Sequence, residues 1–224
     1  MELQTGTSQT QTGLLEKQVR VELAYDHFYI FLNSALSEYP KELACLMFGN
    51  CLDVSNIKVN LFTHAKPIKQ TKTRYWIDLE KQAQVKRNLR ALNPYEKRLG
   101  DAHTHTLKRR DVGLKPRPQD LQSLLDALDR NTEPSKDDKE DMLKNKRPVY
   151  LIIAISPVFV NSKYWMHTEQ GALFGTIPVD NTPEYHIYTR AFSYDPIQKD
   201  FTRARIQCKF PQHLEHFLVK QPTN

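Results

Sequence analysis

Apolar residues near the start of the chain follow first a two-residue period and then a helical period. Val19, Val21 and Leu23 alternate with polar residues, which predicts a short strand. The apolar residues at 28–39 then recur mostly three and four positions apart, as on one face of a helix, and Pro40 ends that helix. The pattern therefore predicts a strand followed by a helix with one apolar face.

Two further segments predict strands that continue the same domain. The run at 42–52 is mostly apolar, which is typical of a strand buried on both faces, and 57–63 alternates between apolar and polar positions. A basic, polar connection at 66–74 leads to a helix at 78–92, for which Asp78 is the predicted cap.

The second half of the chain predicts one helix and three strands. Pro118 is favoured in a first helical turn, and the leucines that follow have helical spacing: Leu121, Leu124, Leu125 and Leu128. The predicted strands are 149–156, 185–194 and 200–210, and the last two form a hairpin. We expect 149–156 to lie beside the strand that carries His103 and His105.

Two segments of this half have no regular period. The stretch 131–147 is highly charged and poor in apolar residues, which predicts a loop. The stretch 158–183 contains aromatic residues and two glycines, so it is either an insertion that clamps a substrate or an ordinary connection.

Composition predicts one globular domain between two polar tails. Residues 1–18 are rich in Gln, Thr, Ser and Gly, and we expect a disordered tail there. The domain is expected at 19–212 and a polar tail at 213–224. Hydrophobic residues make up 39% of the chain and charged residues 26%, which is typical of a soluble protein.

Charge and cysteine content predict the cellular compartment and limit the kinds of partner. No apolar run approaches the roughly 20 residues that span a bilayer, and Cys45, Cys51 and Cys208 form no Cys-x-x-Cys pair. We therefore expect a cytoplasmic protein with reduced thiols. The net charge is +6, but basic and acidic residues are interspersed, so the composition disfavours nucleic acid as a partner.

The stretch Gly100-Asp-Ala-His-Thr-His-Thr106 carries the strongest chemical signal. On an extended backbone His103 and His105 point to the same face, and two converging imidazoles are a common pair of metal ligands. Asp120, at the head of the following helix, is the candidate third ligand, and a fourth position would be left for water.

The order of three motifs resembles the JAMM (MPN-type) zinc metallopeptidases, in particular prokaryotic-type members. These motifs are Glu42-Leu-Ala-Cys-Leu-Met-Phe-Gly49, His103-x-His105 and Pro116-Arg-Pro-Gln-Asp120. The family has an upstream Glu, a His-x-His and a downstream Ser-x-x-Asp. The resemblance covers residues 19–210.

The chain departs from the family pattern at several positions. Arg117 stands where the family has Ser, and Thr106 stands where Pro is common. Cys45 replaces the first glycine of the family's Glu-x-x-Gly-x-x-x-Gly run, whereas Gly49 matches the second. The loop from His105 to Asp120 is also longer than usual.

The resemblance implies a fold, a cofactor and a mechanism. The implied fold is α/β, a curved and mostly antiparallel sheet flanked by helices on both sides, with cytidine-deaminase-like layering. The implied cofactor is Zn²⁺, held by His103, His105 and Asp120, with Glu42 as general base and then general acid. From its sequence position alone, Glu42 is more consistent with a solvated strand end than with a catalytic role, because most glutamates at strand ends are solvated.

Basic residues crowd the loop between the second histidine and the following helix: Lys108, Arg109, Arg110, Lys115 and Arg117. The loop is either a solvated surface or a border of the metal site that receives an acidic or carboxylate-bearing partner. In the family the Ser hydroxyl helps to stabilise the oxyanion. Arg117 either replaces that donor or contacts the substrate, and we favour substrate contact.

The resemblance predicts a zinc-dependent isopeptidase or peptidase, similar to deubiquitinases, that cuts after the C-terminal tail of a ubiquitin-like protein. The expected partners are such a protein or its conjugates, with no membrane, and the oligomeric state is left open. Two alternatives are a catalytically silent MPN-like scaffold and a small-molecule amide hydrolase on the same site. Metallo-β-lactamases are excluded because Leu107 stands where their His-x-His-x-Asp-His motif has Asp.

Overall fold

The structure is a computed structural model of the 224-residue chain. It describes residues 18–64, 67–70, 75–77, 79–93, 95–107, 121–157, 165–179 and 182–209. The predicted tails at 1–18 and 213–224 lie outside these ranges except for Gln18.

Four helices and eleven strands occur in the described parts of the chain. The helices are α1 Tyr25–Glu38, α2 Leu79–Leu92, α3 Leu121–Asn131 and α4 Lys136–Asn145. The first six strands are β1 Arg20–Leu23, β2 Ala44–Asp53, β3 Asn56–His64, β4 Pro67–Gln70, β5 Tyr75–Ile77 and β6 Lys97–Thr106. The others are β7 Val149–Pro157, β8 Met166–His167, β9 Leu173–Val179, β10 Thr182–Asp195 and β11 Asp200–Cys208.

The main sheet closes on itself, so the predicted open, helix-flanked α/β sheet is wrong. Its strand order is β11-β1-β3-β2-β6-β7-β10, and β10 also pairs with β11, which completes a seven-strand barrel with β9 and β8 as two extra strands. The pairing is mixed, because β1 is parallel to both β3 and β11 and β6 is parallel to β7.

Closure depends on the length of β10. Its first half pairs with β9 and its last part, Ala191–Asp195, pairs with β11, while β7 runs along its other edge. β10 therefore belongs both to the barrel and to the extension formed by β9 and β8. A closed sheet leaves no free edge among the seven strands of the ring, which removes the exposed backbone donors and acceptors of an open sheet.

The inner core fills one face of this wall. It contains alternate residues of the strands, such as Leu151 and Ile153 of β7, and α1 packs its apolar face onto the same cluster. Within it, Phe31 of α1 stacks on Phe62 of β3 with ring centroids 5.6 Å apart. The apolar stripe predicted for this helix is therefore confirmed as core.

Helices α3 and α4 cover the opposite face of β7 and β10. Leu124 and Leu128 of α3 pack with Ala154 and Tyr188, and Met142 of α4 packs with a separate group, Tyr150, Ile152 and Phe192. The turn between the two helices is thereby held over the middle of the wall, and this turn carries part of the candidate site.

The strands and helices predicted from periodicity are present within one to three residues, whereas the predicted loop at 131–147 is wrong. That stretch contains α4, which begins after Ser135 and ends at Asn145. The helix buries one apolar side chain, that of Met142, and leaves most of its charged residues at the surface. A segment with so few apolar residues has almost no helical period to detect.

Among the described residues, no helix has the length and the apolar character needed to cross a bilayer.

Candidate metal centre

His103 and His105 lie on the outer face of β6, under the turn between α3 and α4. The strand pairing with β7 places His103 opposite Ile152 and His105 opposite Ala154, so both imidazoles share a face with the residues that α3 and α4 cover. The Nε2 atoms of the two rings are 3.1 Å apart. The convergence predicted from the alternating His-x-His spacing is present.

Asp138, in the first turn of α4, brings a carboxylate to the two imidazoles. Its Oδ1 atom lies 3.4 Å from Nε2 of His103, and its Oδ2 atom lies 3.8 Å from Nε2 of His105. Donor atoms of the three residues all lie within 4.8 Å of one another. Two nitrogens and a carboxylate in this arrangement are a suitable ligand set for a divalent cation.

The position of Asp138 is set by the start of its helix. The side chain of Ser135 accepts a hydrogen bond from the backbone N–H of Asp138 at 3.1 Å, and the Asp138 carboxylate accepts one from the backbone N–H of Ser135 at 2.8 Å. This reciprocal capping box satisfies two donors that a helix start would leave unpaired. It also holds the carboxylate in one orientation.

His105 is oriented by the backbone at the end of α3. Its Nδ1 atom lies 2.7 Å from the carbonyl oxygen of Asn131, which can only accept a hydrogen bond. Nδ1 therefore carries a proton, and in the neutral ring the lone pair is on Nε2, which faces His103 and Asp138. A backbone carbonyl in this position is the usual partner of a metal-binding imidazole.

The environment shifts the pKa values of the two imidazoles in opposite directions. Burial lowers the pKa of His103 to about 4, although the Asp138 carboxylate opposes this shift. Burial would also lower the pKa of His105, but interactions with Asp138 and the Asn131 carbonyl outweigh it and raise that pKa above its ordinary value. His103 is thus neutral at physiological pH.

The pKa of the Asp138 carboxyl is lowered, which favours the ionised form that a metal ligand requires. Burial would raise this pKa, but His105, His103 and the two hydrogen bonds with Ser135 lower it well below the ordinary range. Asp138 is therefore ionised at neutral pH.

Glu42 lies two residues before the start of β2. Ala44 pairs with His103, the Thr104 N–H donates to the Leu43 carbonyl at 2.9 Å, and the Leu43 N–H donates to the Thr104 hydroxyl at 2.8 Å. Continued by two residues, this register would bring Glu42 beside His105. The pKa of Glu42 is raised to about 7, first by burial and also by Asp138, while His105 acts to lower it. Glu42 is thus within electrostatic reach of two of the three candidate ligands.

The spacing of the donor atoms fits zinc. Zn²⁺ binds His nitrogens and carboxylate oxygens at about 2.0 to 2.2 Å, so two ligands of a tetrahedral site lie about 3.3 Å apart. The two Nε2 atoms are 3.1 Å apart and Oδ1 of Asp138 lies 3.4 Å from Nε2 of His103, whereas the 3.8 Å contact with His105 is made by the other carboxylate oxygen. One donor atom from each of the three residues lies within 4.8 Å of the others, so these residues could hold a zinc ion.

The predicted site residues divide into two groups. His103, His105 and Glu42 are described, and the structure brings them together on one face. Asp120 and the basic loop residues lie outside the described ranges: Lys108, Arg109, Arg110, Lys115 and Arg117. Their roles stay predictions, and Asp138 is the carboxylate that the described residues place beside the histidines.

The sequence carries a local signal for the helix start at Asp138 that the prediction of a loop at 131–147 does not take into account. Ser135-x-x-Asp138 has the spacing of a helix cap, and Pro134 precedes it. The high charge of 131–147 favours a loop over a helix. Asp120 precedes a much clearer apolar stripe, which makes it the more obvious candidate for the third ligand.

Comparisons with known proteins give distant structural likenesses. No family model matches the chain, and no curated protein matches it. The solution structure of a protein from Desulfitobacterium hafniense is 15% identical, with a TM-score of 0.47, and the match covers 89% of this chain and 99% of that one. The crystal structure of a JAB1/MPN domain protein from Archaeoglobus fulgidus is 11% identical, with a TM-score of 0.35, covering 84% and 98%. Both TM-scores are below 0.5, so the argument for function depends on this chain's own residues.

Proposed function

We propose that this protein is a zinc-dependent hydrolase of amide bonds, a peptidase or isopeptidase. His103, His105 and Asp138 would hold the zinc ion, and Glu42 would carry the proton. The observation that carries this proposal is the position of Glu42, two residues before the partner of His103 and in electrostatic interaction with His105 and Asp138, beside the three converging candidate ligands. A structural zinc site has no need of a half-buried carboxyl beside it, whereas a hydrolytic site does.

The assignment of Asp138 also supports the resemblance to the JAMM family. With Ser135-x-x-Asp138 as the third motif, the chain has Glu, His-x-His and Ser-x-x-Asp in the family's order. The Pro116–Asp120 match lacks the serine, whereas this one supplies it. The family's Ser hydroxyl and metal-binding Asp would then be the two partners of the capping box.

The chemistry divides between the metal and the side chains. When bound, zinc polarises the scissile carbonyl and lowers the pKa of the attacking water toward about 7. Beside a bound dication, the carboxyl of Glu42 would be ionised at neutral pH, because a nearby positive charge favours the carboxylate. Glu42 accepts the proton of the attacking water and returns it to the leaving amine. Ser135 can donate its hydroxyl proton to the carbonyl oxygen as negative charge develops there.

The substrate class follows from the family resemblance. We propose an isopeptide or peptide bond after the C-terminal tail of a ubiquitin-like protein. A silent scaffold would not require a half-buried Glu42 that interacts with His105 and Asp138. A small-molecule amide hydrolase would use the same residues and differs from the proposal only in its substrate.

The proposal is tested by measuring both the zinc content of the protein and its hydrolysis of a probe. The purified protein is expected to bind about one zinc per chain, measured by elemental mass spectrometry, and the zinc-loaded protein to cleave isopeptide-linked diubiquitin or a peptide from a synthetic library. Glu42→Gln is the matched inactive control. Zinc binding without hydrolysis of any probe would favour the scaffold, and absence of zinc binding would refute the proposal.

A further inference from the structure

A buried arginine lies behind the metal centre. Arg190 of β10 is fully buried, and the pairings through β7 place it in the same cross-strand row as His103, two strands or about 10 Å away. Its Nη1 donates to the carbonyl of Gln170 at 2.8 Å, and its Nη2 donates to Asp129 and, at 3.1 Å, to the hydroxyl of Tyr188. A buried guanidinium requires such partners, because an unpaired charge in the interior is costly.

Asp129, near the end of α3, is the centre of this network. Besides Arg190, its Oδ1 accepts a hydrogen bond from the Tyr188 hydroxyl at 2.9 Å, and its Oδ2 accepts one from Arg203 of β11 at 3.2 Å. Arg203 also pairs with Glu133. Two cations and two carboxylates thus balance one another where the barrel wall meets the α3–α4 turn.

The backbone of Asp129 shapes the turn that carries the metal site. Its carbonyl accepts hydrogen bonds from the N–H of Thr132 at 3.0 Å and from the Thr132 hydroxyl at 2.8 Å. Between them stands Asn131, whose carbonyl accepts the Nδ1 proton of His105. Asp129, which the barrel strands hold by hydrogen bonds, is therefore two positions before Asn131, which orients the candidate ligand His105.

We propose that Arg190, Tyr188 and Arg203 act through Asp129 as positioning residues for the metal centre. They hold the α3–α4 turn at a fixed height above β6, so that the Asn131 carbonyl keeps the His105 proton on Nδ1 and leaves Nε2 free for a metal. The part of this proposal that concerns zinc rests on the proposed function. The part that concerns the His105 proton does not.

Hydrogen bonds to Asp129 define the position of α3 more sharply than apolar contacts do. Apolar contacts of α3, such as those of Leu124 and Leu128, hold the helix to the wall but define its position less sharply than hydrogen bonds do, because the hydrophobic effect is not directional. Hydrogen bonds to both oxygens of one carboxylate are directional. A displacement of about 1 Å would break the 2.7 Å contact between His105 and Asn131.

The first experiment reads the His105 proton in the metal-free protein. Two-bond ¹H–¹⁵N correlation spectra at alkaline pH, where the ring is neutral, distinguish a proton on Nδ1 from one on Nε2. We expect the Nδ1–H tautomer in the wild type and a mixture of tautomers in Asp129→Asn. The double variant Tyr188→Phe/Arg203→Gln, which keeps Asp129 paired with Arg190, should show a smaller shift in the same direction.

The second experiment measures zinc affinity by competition with a chelator. Loss of an outer partner of a metal-binding histidine typically weakens binding about 10- to 100-fold, and we expect this range for Asp129→Asn. Phe31→Leu is the matched control, since it destabilises the inner core on the other side of the wall without contacting the network. It should keep the wild-type tautomer and zinc affinity.

The outcomes separate this proposal from the proposed function. Wild-type tautomer and affinity in both network variants would overturn the positioning role, as would an Nε2–H tautomer in the wild type. If the wild type binds no zinc, the proposed function fails, and the tautomer measurement still decides this inference. If Asp129→Asn does not fold because Arg190 loses its counter-charge, the double variant decides it.

Discussion

Ala44 of β2 pairs with His103 of β6, and Glu42 comes two residues before Ala44. Next to this pair, the Thr104 N–H donates to the Leu43 carbonyl and the Leu43 N–H donates to the Thr104 hydroxyl. Glu42 interacts electrostatically with His105. The candidate proton carrier is therefore joined to the strand of the candidate ligands through the hydrogen bonds of the residue next to it.

The first prediction distinguishes the two candidates for the third ligand. Asp138→Ala should abolish stoichiometric zinc binding, because two histidines alone are too few protein ligands for a zinc site. Asp120→Ala should retain it. The matched control is Asp137→Ala, an exposed acid in the same helical turn. Elemental analysis after dialysis measures the outcome, and loss of zinc in Asp120→Ala alone would show that Asp138 is not the ligand.

The second prediction concerns the proton carrier. Glu42→Gln should keep zinc and the thermal unfolding temperature but lower turnover by about 100- to 10,000-fold, because an amide cannot accept the proton. Glu38→Gln, at the exposed end of α1, is the control and should behave as wild type. Steady-state kinetics on the cleaved probe provide the measurement. Substantial turnover by Glu42→Gln would place the base elsewhere.

The third prediction is the pH dependence of zinc affinity. Above about pH 4 His103 is neutral, so His105, with its raised pKa, is the ligand that must lose a proton. Affinity should therefore rise at least tenfold per pH unit between about pH 5 and 6.5, below the ordinary pKa of His, and level off at a higher pH. Glu42→Gln should show a shallower slope than the wild type, because zinc binding also releases a proton from Glu42, whose pKa in the metal-free protein is raised to about 7. An affinity independent of pH in this range would contradict the assignment.

The metal-free protein should show the opposite trend in stability. The raised pKa of His105 contributes stability that is present below the unfolded value of about 6.5 and lost as the pH rises through the folded value. The lowered pKa of Asp138 contributes stability above about 3.9 that is lost as the pH falls. Denaturant unfolding should thus show their largest joint contribution between about pH 4 and 6.5, and Asp138→Asn should remove it.

The fourth prediction concerns Ser135. Ser135→Ala removes the helix cap and should lower the free energy of unfolding by about 1 kcal/mol. If the hydroxyl also donates to the oxyanion, turnover should fall about 100- to 1,000-fold with little change in the Michaelis constant. Ser135→Asp is the comparison, since it keeps a capping side chain but lacks the donor. Recovery of turnover in that variant would show that Ser135 acts only as a cap.

Local patterns in the sequence determined most of the elements and part of the site. The alternation at β1 and β3, the apolar stripes of α1 and α3 and the His-x-His of β6 depend on side chains a few positions apart. Such patterns report directly on which face of a strand or helix is buried. They were sufficient to predict that His103 and His105 share a face and that α1 packs on the core.

Tertiary structure alone decided the closure of the barrel and the third donor of the cluster. The pairings of β1 with β3 and β11, and of β10 with β11, join edges that no local pattern distinguishes from those of an open sheet. Asp138 reaches the histidines because a capping box starts α4 and Met142 anchors it to Tyr150 and Phe192. The strand pairings and the contact of Met142 with Phe192 join segments far apart in the chain, so their free energy appears only when the wall and the helix have come together.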